Sequence, residues 1–182
     1  MFLAGCDLFS TRTVEPPTDP RSNFTPPTSY DIVIENLQFA VAEKNLNNYM
    51  QCFVDTNFAS GVFVFNADVE AEVQFPILDN WGIQKERSYY NNLLALTNPG
   101  EVSTLFFSNE QVLPALDSVT YDSDYLLVFN HSKETVAKTV RGKVRFILKP
   151  NQSNFWAIET WSDFKTSPED TTWSVLKAGF VN

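Results

Sequence analysis

The sequence predicts an α+β domain in which two or three N-terminal helices pack on a strongly curved antiparallel sheet. Three observations carry this reading. Between residues 29 and 53 apolar side chains recur at spacings of three and four, the period of a helical face. Beyond residue 100 the period falls to two, as in strands with one covered face. Helical runs followed by strand runs define an α+β plan, with the helices segregated onto one sheet face.

Ser29 and Asp31 suit the start of a first helix, running to about Asn45 with Val33, Ile34, Leu37, Ala40 and Val41 on one side. Asn47 is placed to cap a short second helix with Tyr49, Met50 and Phe53 as its apolar face. After Gly61 the stretch "VFVFNADVEAEV" has the β-branched and aromatic content of a strand. Asp79 and Asn80 offer caps for a third helix over about 81–96, with Ile83, Tyr90, Leu93 and Leu94 on its apolar side; Asn98-Pro99-Gly100 stops it.

Two strands follow in "EVSTLFFSN" and "DSDYLLVFN". His131-Ser132-Lys133-Glu134 reads as a polar hairpin tip leading to a long strand whose even positions hold Val136, Val140, Val144, Phe146 and Leu148. Gly142 inside that strand predicts a bulge or bend. A turn at 150–153 leads into "NFWAIETWSDF", and "TTWSVLKAGF" closes the chain as a strand or a helical turn.

A chain of 182 residues suits one domain plus an appendage. Its 16 Phe, 6 Tyr and 4 Trp either build a core or line an apolar pocket. A net charge of −9 disfavours nucleic-acid binding, because a phosphate backbone would be repelled. No run of 18 apolar residues occurs, so this stretch holds no transmembrane helix. Cys52 lies in an apolar helical segment, where a free cysteine behaves as a small buried hydrophobe.

Residues 7–28 contain five of the ten prolines and no apolar periodicity, and read as a linker. In extended polyproline geometry such a segment reaches roughly 70 Å. Just before it, Leu3-Ala4-Gly5-Cys6 resembles a bacterial lipobox, in which small residues precede a cysteine that is lipidated and becomes the mature N-terminus. Only Met1 and Phe2 stand where a signal peptide carries a charged start and roughly 7 to 15 apolar residues. Residues 1–6 are therefore read as the remnant of a lipoprotein signal, which implies a membrane partner through a lipid on Cys6 and a place in the bacterial cell envelope. A soluble protein is the alternative.

Over 29–182, the phrases "AEKNLNNYMQCFVD", "FVFNADV", "WGIQKERSYYNNLL" and "FWAIETWSDF…TTWSVLKAGF" together resemble the nuclear-transport-factor-2-like superfamily, the SnoaL-like and cystatin-like cone domains. The resemblance implies a pocket between the concave sheet face and the helices, and dimerisation through the sheet. Phe65, Trp81, Tyr90, Phe129 and Trp156 are the candidates to line that pocket. Enzymes of the superfamily use a carboxylate or histidine in the cone with an oxyanion donor, while other members only bind or scaffold.

For catalysis the candidates are Glu159, Asp163 and Asp68. Glu159 and Asp163 share the odd face of their strand with Trp161, and become functional carboxylates if that face is concave. Asp68 matches an Asp often seen in relatives, but a capping or turn role suits it better. The sole histidine, His131, is expected to be exposed.

One His and isolated Cys residues supply no dedicated zinc set, and no cofactor motif occurs. Arg141, Lys143, Arg145 and Lys149 share a strand face that either contacts an anionic surface or is simply solvated. Asn23, Asn130 and Asn151 open Asn-x-Ser/Thr sequons, which matter only in a eukaryotic secretory context. The expected function is binding of a small apolar ligand or a protein partner without catalysis. An isomerase, dehydratase or cyclase using a pocket carboxylate is the alternative, and a structural dimer with a self-filled cone is a third reading.

Overall fold

The computed structural model of the chain describes residues 22–55, 61–98 and 100–181. Its order is α1 (Tyr30–Glu43), α2 (Leu46–Gln51), β1 (Val64–Asn66), α3 (Val69–Gln74), a 3-10 turn at Pro76–Leu78, α4 (Ile83–Ala95), β2 (Thr104–Pro114), β3 (Val119–Val128), β4 (Thr139–Pro150), β5 (Trp156–Phe164) and α5 (Trp173–Phe180). The five strands form one sheet in the order β1-β5-β4-β3-β2. Four of them are antiparallel, as expected, but β1 runs parallel to β5 and makes the sheet mixed.

Helix α1 buries Val33, Ile34, Leu37, Ala40 and Val41, the face its spacing predicts. It ends at Lys44, whose left-handed backbone (φ 54°) turns the chain. The cap of α2 is Asn45, not Asn47: the Asn45 side chain accepts from the Asn48 amide. Most of "VFVFNADVEAEV" is not strand. Only Val64–Asn66 pairs with β5, and Asp68 then caps α3 by accepting from the Glu70 and Ala71 amides. A good N-cap overrides the β-branched bias of the stretch.

Residues 22–28 do not hang free as a tether. The Thr25 amide donates to Asn36 Oδ1 at 2.9 Å, and Asn36 Nδ2 donates to the Thr25 carbonyl at 2.7 Å. Asn23 donates twice to Glu43, and the Pro27 carbonyl accepts from the Trp156 amide at 2.7 Å. The remainder of the Pro-rich stretch, with Cys6, lies outside the described residues.

On β4 the even residues Val140, Gly142, Val144, Phe146 and Leu148 face inward, as the alternation predicts. Gly142 makes no bulge, since it pairs in register with Tyr125. Its role is close approach: a Cβ there would lie 2.5 Å from the Phe164 carbonyl oxygen and 3.0 Å from the Tyr125 hydroxyl. The register break falls further along, where Ile147 opposes Thr160 but Leu148 opposes Ile158. Glu159 is the extra residue, and the inward set of β5 passes from Trp161 and Asp163 to Ile158 across it.

The last segment is a helix. Trp173, Leu176, Lys177 and Phe180 of α5 are buried at the spacing i, i+3, i+4, i+7. This helix packs against α3, α4, β4 and the 3-10 turn, and it closes the cone.

Candidate functional site

The interior beneath α5 is built from aromatic rings and ionisable groups together. Lys177 enters from α5 and Glu86 from α4, both with no exposed surface. Their side chains form a hydrogen-bonded ion pair between Nζ and Oε2. Two further donors fix the carboxylate: the Tyr49 hydroxyl to Oε1 at 2.5 Å and the Trp81 indole to Oε2 at 2.7 Å. The ammonium lies 3.8 Å from the ring centre of Trp161 and 3.9 Å from that of Phe65, with Tyr89 at 5.3 Å and Trp81 at 5.4 Å. Burial lowers the Lys177 pKa to about 8, against the opposing pull of Glu86.

A second polar cluster adjoins the first. Asp163 is 1% exposed and accepts from the Ser174 amide at 2.7 Å, the Ser174 hydroxyl at 2.6 Å and the Tyr125 hydroxyl at 2.9 Å. Tyr125 in turn accepts from the Trp173 amide at 2.6 Å. Gly142 leaves the space for that hydroxyl. Burial raises the Asp163 pKa to about 6 despite these donors, and it also raises the phenols of Tyr49, Tyr89 and Tyr125. Trp173 donates its indole proton to the Tyr89 hydroxyl at 2.8 Å. Asp68, besides capping α3, accepts from the Thr172 hydroxyl, and its amide donates to Ser174 Oγ at 3.0 Å. All three interior carboxylates are thus committed to protein donors, two of them to the start of α5.

The expected site residues fall in five places. Asp163 and Asp68 meet at the N-terminus of α5. Glu159 does not share their side: its place in the bulge turns it outward, where it pairs with Lys149 at 2.8 Å. Phe65 and Trp81 border the Lys177 ammonium, whereas Tyr90 stacks on Tyr49 (centroids 3.7 Å apart) and meets Phe129 edge-on. Trp156 is half-buried, edge-on to Tyr30.

His131 is not exposed. It is 2% accessible, packs edge-on against Phe180 with centroids 4.9 Å apart, and places Nε2 3.3 Å from the Ala137 carbonyl. The turn folds back over the end of α5, so a polar sequence context does not keep the ring in water. Burial lowers its pKa.

Sequence reasoning missed Glu86, Lys177, Tyr49, Tyr89 and Tyr125. A signal did exist for Lys177, because in "WSVLKAGF" it occupies the i+4 position of the stripe Trp173, Leu176, Phe180. Glu86 likewise lies three and four residues before the buried Tyr89 and Tyr90. A charge on each of two apolar helical stripes, opposite in sign, is the pattern of a buried pair.

Elsewhere, Phe24, Pro26, Pro27, Phe53, Phe155 and Trp156, together with the polar Gln51, Asp55 and Asn151, line a surface groove of about 350 Å3. The basic stripe of β4 is largely neutralised in place. Arg145 grips Asp122 through two 2.8 Å bonds, Arg141 meets Asp170 at 2.8 Å, and Lys149 meets Glu159. Cys52 is buried and free, donating to the Asn48 carbonyl at 3.3 Å. Among the described residues no helix is long and apolar enough to cross a membrane.

Such a cone of helices on a curved sheet is an NTF2-like fold, and solved structures share it. An NTF2-like protein of unknown function in nutrient uptake from Rhodospirillum rubrum matches with a TM-score of 0.57 and 14% identity, over 76% of this chain and 99% of that one. An NTF2-like superfamily protein from Salmonella enterica matches at 0.54 and 11%, over 75% and 88%. A candidate dehydratase of the NTF2-like family from Streptomyces avermitilis matches at 0.53 and 11%, over 75% and 93%. No family model matches the sequence, and no curated protein does. At these identities the likeness is one of fold alone.

Proposed function

We propose that this chain is a non-catalytic binding domain of a bacterial cell-envelope lipoprotein, held at the membrane by a lipid on Cys6 and the Pro-rich segment that follows. The single observation that supports binding over catalysis is the filled cone. Glu86, Asp163 and Asp68 are saturated by donors from the protein itself, and Trp81, Trp161 and Trp173 occupy the space at 0–2% exposure. A general base needs its proton within about 3 Å of a bound substrate, and here α5 stands in that position.

The apolar surface groove beside Trp156 is the place for a small apolar ligand or an apolar side chain of a partner. Trp156 is the only tryptophan of the four that is not fully buried, so its fluorescence reports on that groove. Titration with a medium-chain fatty acid is expected to give a saturable change that Trp156→Phe abolishes. Turnover of a ketosteroid or hydroxyketone substrate that is lost in Asp163→Asn would overturn the reading. Mass spectrometry of the protein from its native membrane tests the anchor, and an unmodified Cys6 would refute it.

A further inference from the structure

A second hollow adjoins the Trp156 groove at the surface. It lies between α2 and α4, holds about 360 Å3, and is lined by Asn47, Met50, Gln51, Asp55, Ile83 and Arg87. Gln51 and Asp55 also line the groove, so the two hollows meet across those side chains. Each has the size of a small ligand site, a range that begins at roughly 300 Å3. Helical spacing builds the walls of the second hollow, because Ile83 and Arg87 stand one turn apart on α4, as do Asn47 and Gln51 on α2.

The two hollows differ in chemistry. The groove offers the rings of Phe24, Phe155 and Trp156 over the buried Phe53. The second hollow carries one cation, the exposed Arg87, and shares one anion, the half-buried Asp55. Among the described residues Arg141 and Arg145 each grip an aspartate, and every lysine but Lys143 is held by a carboxylate or a backbone carbonyl. Arg87 has neither kind of partner among them. Lys143 lies on the outer face of β4, in register with Asp124. A guanidinium with its donors in solvent beside an apolar groove is placed to meet a ligand carboxylate at two points. A simple anion would be opposed by Asp55 and by the net charge of −9. A ligand that carries an ammonium next to its carboxylate is neutral overall and complements both residues.

We propose that the joined hollows bind an α-amino acid with an apolar side chain: Arg87 takes the carboxylate, Asp55 the ammonium, and the side chain enters the groove beside Trp156. The proposal rests on reading that groove as the binding site and adds the ligand class. It requires no movement of the core, since both hollows are open at the surface.

L-phenylalanine, phenethylamine and 3-phenylpropionate share one apolar body and carry both charges, the ammonium alone and the carboxylate alone. In tryptophan-fluorescence titrations at neutral pH, L-phenylalanine is expected to bind saturably and roughly tenfold or more tightly than either analogue, because each missing charge removes a charge-assisted contact. Arg87→Gln should weaken L-phenylalanine and 3-phenylpropionate and spare phenethylamine. Asp55→Asn should weaken L-phenylalanine and phenethylamine and spare 3-phenylpropionate. The wild-type series decides even if a variant misfolds: equal affinity for the three compounds, or no saturable binding of L-phenylalanine, would overturn the proposal. A folded variant that weakens all three alike would overturn it too. A fatty-acid signal that Trp156→Phe abolishes, with no preference for L-phenylalanine over its analogues, would overturn this proposal and leave the groove reading standing. No response to either the fatty acid or L-phenylalanine would overturn both.

Discussion

The two faces of the β4-centred sheet carry the same chemistry in opposite settings. Under α5, Lys177 meets Glu86 with no exposed surface on either partner. On the outer face Arg145 meets Asp122 with better geometry, a two-point fork, yet half of the arginine side chain is in water. Inside, the low dielectric raises both the attraction and the cost of removing each charge from water, so neither partner is tolerable alone. Outside, Asp122 is itself only 9% exposed, but water and salt reach the arginine and screen the pair. Burial, and not hydrogen-bond geometry, decides which pair the fold depends on.

The sharpest way to break this contrast is to delete one interior charge. Glu86→Ala is expected to cost about 3 to 5 kcal/mol in urea unfolding, because it strands the Lys177 ammonium among aromatic rings. Replacing both partners at once, with Glu86→Leu and Lys177→Met, should recover most of that loss. A double variant as unstable as the single one would show that the pair itself, and not a stranded charge, holds α5.

Gly142→Ala comes next, at about 1 to 3 kcal/mol, since the new methyl group would stand 2.5 Å from the Phe164 carbonyl oxygen, which belongs to the backbone and cannot swing away. The same change pushes on Tyr125 and should weaken its contact with Asp163. Hydrogen exchange at Trp173 and Ser174 reports that local effect, and unaltered exchange there would refute the link.

The pH dependence of stability separates the interior carboxylate from the interior histidine. The Asp163 pKa rises on folding to about 6 from an unfolded value near 3.8, so the folded state binds more protons in that window. Its contribution is full below the unfolded value and is lost as pH rises through about 6, a change of about 3 kcal/mol. His131 has the opposite sign. Its folded pKa lies below the unfolded value, so its contribution is present above about 6.5 and is lost as pH falls through the lowered value. Asp163→Asn should flatten the acidic slope and His131→Phe the opposing one. Parallel urea-stability curves for wild type and Asp163→Asn between pH 4 and 6 would refute the assignment.

Local pattern was enough for much of the fold. Spacing placed the buried face of α1 and the inward residues of β4, because each depends only on a period and one covered side. What failed depended on long-range fit. Glu159 and Asp163 have the same parity along β5, and only the register with β4 shows that the bulge separates them. His131 looked exposed because the residue that covers it, Phe180, lies 49 positions away in the chain. Asp68 was legible as a cap from its neighbours, but its tie to Thr172 spans 104 residues and was not. The central pair was half legible. Each charge stood out on an apolar stripe, and nothing local said that the two stripes would meet.

Arg145→Ala carries the smallest expected effect and tests the other side of the comparison. The fork to Asp122 is well formed and the two residues are direct neighbours across β3 and β4. The arginine keeps Asp122 below the usual carboxylate range, chiefly through the hydrogen bonds it donates. Even so, an exposed guanidinium gains little over its hydrated state, and about 0.2 to 1 kcal/mol is the expected loss. A double-mutant cycle with Asp122→Ala measures the coupling directly, and raising salt from 0.1 to 1 M should shrink it as the screening length falls from roughly 10 to 3 Å. Coupling above about 2 kcal/mol that persists in high salt would mean that the outer pair is sheltered in solution, and burial would no longer distinguish the two faces.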